Sequence, residues 1–233
     1  MRGCLFVLVV AAALLAAVAW FGAPPIAGLL VRAALDSTGY RATTTSIAVE
    51  AAPPPRVLLG HADAVTIRSS GVEWRNLKAR GLDLRLEDVD LFGRTAGTVS
   101  GSIDGAELAG TTIEPPRVAI TLDGPAPQAR ATILADRVTV RRLVLAGVAD
   151  TFHVEATDAV LVAPDRLRVS TPGAVIEGSL VIDGDHVVAM ATPLGSIPLL
   201  TLDAALPLRL TGVSVVEGGL RLQGVLDVTA LLR

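Results

Sequence analysis

The chain has 233 residues, 20 basic against 23 acidic side chains, a net charge of −3 and only 3% aromatics. So mild an acidity argues against nucleic acid as a partner, and so few rings argue against an aromatic-lined sugar site or stacking on bases. Cys4 is the single cysteine, which leaves no internal disulfide and no thiolate metal centre.

From Gly3 to Ala23 no residue is charged. As a helix rising ~1.5 Å per residue, that run is about 30 Å long, the thickness of a bilayer's hydrocarbon core. Two readings stay open. Ala17-Val18-Ala19 fits a small-x-small cleavage site, which makes residues 1–23 a signal peptide. The run continues past that site through Trp20 and Phe21, longer than a signal needs and with rings where an interfacial belt falls, which favours a retained transmembrane anchor. Arg2 precedes the run and the next basic residue is Arg32. The N-terminus is therefore expected inside the cell membrane and residues 24–233 outside it, as one extracytoplasmic β-rich domain.

Pro24-Pro25 ends the first segment, and Pro25 suits the first turn of a short helix over Ile26–Leu35. That helix is apolar nearly all round, so something else must bury it. Asp36-Ser37-Thr38-Gly39 marks its end. From Ala42 onward the pattern has period 2, and no segment shows a persuasive 3.6 period.

Leu82, Leu84 and Leu86 share one strand face, with Asp83, Arg85 and Glu87 on the other. Val89 and Leu91 then take the opposite parity, so the phase slips at Glu87-Asp88. Similar slips fall at Arg141-Arg142, within residues 129–150 that read as strand, and at Thr211-Gly212. A β-bulge keeps one apolar face through such a slip; a turn between two shorter strands is the other explanation. The first two lack Gly and Pro, which favours bulges, whereas Thr211-Gly212 leaves the choice open. Long strands bent midway predict a strongly curved antiparallel sheet with an aliphatic concave face against the N-terminal helix. The fold class is mainly β with that helix, α+β.

Asp183-Gly184 and Gly218-Gly219 sit between β-formers and predict hairpins, and Leu220, Leu222, Gly224 and Leu226 alternate strictly in the last strand. The stretch Pro193–Leu200 is unusually apolar for a connection, either dipping into a bilayer surface or tucking into the core.

Candidate chemistry is sparse. His61 with Asp63, His153 with Glu155, and Asp183, Asp185 with His186 are the His–carboxylate groupings. His153 and Glu155 alternate with Phe152, Val154 and Ala156, which makes them the solvent face of a strand. No nucleophile motif, zinc-protease motif or phosphate-cradling glycine loop is present. The expectation is no enzyme, no catalytic residue, no metal and no cofactor. An aliphatic hollow beside a membrane tether points to a phospholipid or other acyl lipid, lined by Leu82, Leu84, Leu86, Val89, Leu91 and Phe92, with Leu29 and Leu30 from the helix. The alternative is a structural or protein-interaction module of the envelope with a filled core, since both have the same alternation. No protein partner is legible.

The stretches Val57–Ile67, Leu77–Leu91 and Leu206–Gly224 resemble the LmeA-type family of bacterial, mostly actinobacterial, cell-envelope proteins. The resemblance covers roughly 50–230. It implies phospholipid binding behind a signal or anchor, a role in envelope lipid biology, and a tubular lipid-binding (TULIP-like) fold in which a curled sheet surrounds a long helix. It supplies no catalytic residues.

Overall fold

The computed structural model describes Gly22 and residues 25–74, 77–107, 117–184, 186–191, 195–201 and 207–232. The uncharged run, apart from Gly22, lies outside them, as do Asp185 and Pro193. Among the described residues no helix is long and apolar enough to cross a membrane.

The N-terminal helix, α1, is described over residues 25–37, and Gly22 is helical as well. Ser37 Oγ donates to the Ala34 carbonyl at 2.6 Å and Thr38 Oγ1 to that of Leu35 at 2.7 Å, closing its last turn. An antiparallel meander follows: β1 (Tyr40–Glu50), β2 (His61–Trp74), β3 (Leu77–Asp90), β4 (Thr98–Glu107), β5 (Arg117–Pro125) and β6 (Ala129–Asp136). Next come α2 (Arg137–Phe152), β7 (Asp158–Val162), β8 (Arg166–Ser170), β9 (Val175–Asp183), β10 (His186–Ala191) and β11 (Gly195–Thr201). A hairpin, β12 (Leu208–Val216) and β13 (Gly219–Leu226), leads to a terminal turn of helix, α3 (Val228–Leu232).

The strands divide into two sheets. The larger runs β1-β2-β3-β4-β5-β6-β13-β12 and the smaller β11-β10-β9-β8-β7. One hydrophobic cluster takes in side chains of both sheets and of α2. The Val215 amide donates to the Pro164 carbonyl at 2.6 Å, joining β12 to the β7–β8 turn. Arg68–Asp83 (3.1 Å), Arg80–Asp104 (3.3 Å) and Arg117–Glu107 (3.4 Å) pair across strands on exposed positions. Such pairs contribute little stability each; they mark the wet face of a sheet whose other face is aliphatic.

The phase slips resolve in three different ways. β3 runs unbroken through Glu87-Asp88, so no turn divides it. Nor is there a bulge, because β2 and β3 hold one register from His61↔Asp90 to Trp74↔Leu77. Asp88 instead adopts a left-handed backbone (φ 51), and β2 slips at the same level, with Ala64 and Val65 both buried. Two facing strands that change phase together keep their pairing without an extra residue. At Thr211-Gly212 the β12–β13 register does shift, between Leu210 and Gly212, and the slip is a bulge.

The third slip belongs to a helix, which corrects the strand expected across 136–145. Asp136 caps α2, its carboxylate accepting from the Thr139 amide at 2.6 Å. Val140, Leu143, Val144 and Val148 are buried at i, i+3, i+4 and i+8, a helical stripe. Val138 and Leu145 imitate strand alternation beside them, but Val138 is exposed. Gly147 lets α2 approach β11, since a Cβ there would lie 2.7 Å from Ile197 Cγ2. The single-helix expectation fails accordingly.

Two smaller corrections follow. His153 is the left-handed C-cap of α2 (φ 54) and Glu155 lies in the connection beyond it, so neither stands on a strand. Residues 195–201 form β11, where Ile197, Leu199 and Leu200 are buried; the described part of the apolar stretch, from 195 on, tucks into the core. Both predicted hairpins are present, with Asp183↔His186 and Val216↔Gly219 as closing pairs.

Two expectations test the element the sequence hid. Asp136→Ala removes the α2 cap and is expected to lower stability by ~1 kcal/mol, with Asp136→Ser close to neutral, in chemical denaturation of the detergent-solubilised chain. Arg141 Nε donates to Asp158 at 2.7 Å, tying α2 to β7. That bond, with the Ala159 amide, holds the Asp158 carboxyl below the ordinary aspartate range. A depressed folded value means stability present above the ordinary range and lost as pH falls through it toward the folded value. A carboxyl titration followed by NMR should place Asp158 low in the wild type and higher in Arg141→Gln, with the Ala159 amide still holding it down in part.

Candidate functional site

Three segments wall off one corner of the larger sheet: α1, the 3-10 turn Pro54–Leu59 between β1 and β2, and the turn 91–94 after β3. Ala27 of α1 and Val57 of the 3-10 turn are fully buried against each other, with Val49, Ala51 and Leu91 around them. At the other end of α1, Trp74 Nε1 donates to Thr38 Oγ1 at 3.0 Å, and Tyr40 meets the Trp74 ring edge-on at 6.0 Å. The helix is therefore pinned at both ends.

The 91–94 turn is shaped by Asp90. Its Oδ1 accepts from the amides of Phe92 (3.0 Å) and Gly93 (2.8 Å), and its backbone pairs with Thr95. The Leu91 amide donates to the Gly60 carbonyl at 2.7 Å. Gly60 has φ 87, and a Cβ there would overlap the Phe92 ring, so the absence of a side chain seats that ring.

Between α1 and these strands lies a cavity of about 450 Å³, within the ~300–1,000 Å³ usual for small-ligand pockets. Val31, Ala34 and Leu35 line it from the helix, Val65 and Ile67 from β2, and Leu86 and Val89 from β3, with Leu91 beyond. Leu30 and Phe92 stand at its margin, substantially exposed. Ser37 and Thr38 also contribute, but their hydroxyls are bonded to α1 carbonyls. Asp90 has committed one oxygen to the turn amides, which leaves the exposed Arg94 (φ 51) as the cation of the lining. The arrangement can hold a hydrocarbon segment, with the Arg94 guanidinium and the amide-bonded Asp90 carboxylate as the charged groups of the lining.

Of the residues expected to line a hollow, Leu30, Leu86, Val89, Leu91 and Phe92 come together here. Leu82 and Leu84 are not in its lining, although they are buried in the same cluster as Leu86 and Val89. Leu29 points away and is 69% exposed. The kink at Asp88 is what lets Leu86 and Val89, of opposite parity, face one space. Val65 and Ile67 were missed, although their alternation and their partners Leu86 and Leu84 in the ladder mark them. Nothing in the local sequence singles out Arg94.

A larger groove of about 990 Å³ lies where β4, β5, β6, β13 and the start of α2 meet. Its arginines, 80, 117, 142 and 221, face Asp104, Glu107, Asp136 and Glu217. Arg80 and Arg117 are paired with Asp104 and Glu107, and Asp136 is spent on the helix cap. Its charges are largely committed to one another. Asp63, of the His61 grouping, is paired with Arg56 at 3.3 Å, and among the described residues no three His, Cys, Asp or Glu side chains gather as a metal site.

Fold and site together define a mainly β, two-sheet protein with an apolar cavity beneath its N-terminal helix. No protein-family model, curated protein or solved structure matches the chain.

Asp90→Ala removes the acceptor of two turn amides. Hydrogen exchange at Phe92 and Gly93 is expected to quicken about tenfold or more, because a bond to a charged acceptor is worth ~1.5–3 kcal/mol. Unchanged exchange at both amides would mean that Gly60 and the Asp90–Thr95 bridge hold the turn by themselves.

Proposed function

We propose that this chain is a membrane-tethered, extracytoplasmic phospholipid-binding protein of the bacterial cell envelope, with an acyl chain in the cavity under α1 and its headgroup phosphate toward Arg94. The observation that carries this is the aliphatic cavity itself, whose margin bears a single guanidinium beside exposed Leu30 and Phe92. Burying methylenes contributes ~0.8 kcal/mol each, so six of them supply about 5 kcal/mol before the cost of association. The uncharged run from Gly3 to Ala23 supports the tether, and the resemblance to the LmeA-type family supports the choice of phospholipid. In this reading the eight-stranded sheet is a curled sheet of the TULIP-like kind, with α1 against its apolar side.

The second reading, a filled-core envelope module, is favoured by the burial of the aliphatic face, where Leu82 and Leu84 share one cluster with Leu86 and Val89. Native mass spectrometry of the full chain from its own membrane separates the two. The expected spectrum shows co-purified phospholipid, reduced at least several-fold in Ala34→Trp, which fills the cavity from the half-buried side of α1. Protein that is empty in both forms supports the filled core.

A further inference from the structure

Large apolar side chains that no part of the described chain covers stand on the three segments that wall the cavity. Leu59 is 71% exposed, Leu29 69% and Phe92 68%, and Ile26, Leu30 and Leu58 are each about half exposed, at 49%, 49% and 47%. They come from three separate segments: α1, the 3-10 turn and the 91–94 turn. The contacts already described bring these segments to one corner, with Ala27 against Val57 and Phe92 over Gly60. An exposed patch built from several segments marks an interaction surface, unlike scattered single residues.

We infer that this corner is a membrane-docking surface, and that its occupant is the outer face of the bilayer from which the chain emerges. The inference rests on the tethered lipid-binding reading and adds where the domain touches the membrane. Two observations fix the occupant. The uncharged run ends at Ala23 and α1 is helical by residue 25, so in the tethered reading α1 lies within two residues of the bilayer and has no length of chain to stand away from it. Arg32 on α1 and Arg94 at the cavity margin are exposed and have no ion pair among the described residues; exposed arginines elsewhere, such as Arg130, Arg166 and Arg209, share that state, and what sets these two apart is their place beside the exposed apolar side chains. Apolar side chains flanked by uncommitted arginines suit an interface of acyl chains under anionic headgroups. Asp36, Asp88 and Asp90 are the acids on the same segments; Asp90 is bonded to turn amides, which moderates its repulsion of headgroups. Docked in this way, the cavity margin at Leu30 and Phe92 lies at the lipid surface, and a chain enters without crossing water.

The full chain with Cys4→Ala, carrying one new cysteine at Leu29→Cys, Leu59→Cys or Val175→Cys, is labelled with an environment-sensitive fluorophore. It is reconstituted into vesicles of phosphatidylcholine and phosphatidylglycerol whose acyl chains carry brominated quenchers. All three sites are at least 60% exposed, so labelling leaves the fold intact, and Val175 on β9 belongs to the other sheet. The label at 59 is decisive, since 29 is held near the bilayer by the tether alone. Docking predicts quenching at 29 and 59 at least three-fold stronger than at 175, and weaker quenching at 59 when Phe92→Glu is added. Quenching at 59 no stronger than at 175 overturns the inference. Lipid counted by mass spectrometry in the same samples keeps the two ideas apart. Bound lipid without quenching at 59 removes the docking surface alone, and quenching at 59 with an empty cavity removes the lipid-binding reading alone.

Discussion

A strand that must keep one side dry has period 2, and any break in that period has to be absorbed by the backbone. Everything at the candidate site depends on how β2 and β3 absorb theirs. Asp88 turns left-handed while Ala64 and Val65, one strand away, both become buried. The ladder keeps its register on either side, so the ribbon changes phase as a pair. Without that coordinated change Val89 would face the charged side with Asp83 and Arg85. With it, Val89 joins Leu86, Val65 and Ile67 beneath α1.

The helix completes what the strands begin. An apolar decapeptide such as 26–35 needs a covering, and the sheet supplies it on one side only, burying Ala27 and Leu35 while Leu29 stays in the open. Fastening at Val57 and at Trp74 holds α1 over the strands at its two ends, and the space between is not filled by side chains. The contrast with the polar groove is chemical. There, arginines and carboxylates neutralise one another; here, the lining is aliphatic and the charge stands at the margin.

How much of this was legible in the sequence depends on whether a local signal had a competitor. The period-2 strands and the hairpins signalled by Asp183-Gly184 and Gly218-Gly219 were readable because turn chemistry and alternation agree there, each loop falling one residue from its dipeptide so that Asp183 and Gly219 are closing-pair residues. α2 was not. Its β-branched Val138, Thr139 and Val140 favour strands, and Val138 lies outside the buried stripe that only the contact with β11 and β7 defines. The cap at Asp136 was the available clue, because an aspartate before Arg-Val-Thr is a helix start as readily as a strand polar residue. At the site, the parity change at Glu87-Asp88 was visible and its outcome was not, since one strand's sequence cannot show that its neighbour slips too. Leu82 and Leu84 were assigned to the hollow on the assumption of a uniform face. The covering of that face by other side chains depends on strands far away in the chain.

Trp74 closes the β2 end of the corner with a single bond to Thr38, and Thr38 belongs to the lining. An indole tied to the last turn of that wall is sensitive to the wall's position through its own polarity and hydrogen bonding. Apart from Trp20 in the uncharged run, it is the only such ring in the protein. The indole is therefore placed one hydrogen bond from the cavity wall, where its emission is set by the polarity and bonding of the α1 end.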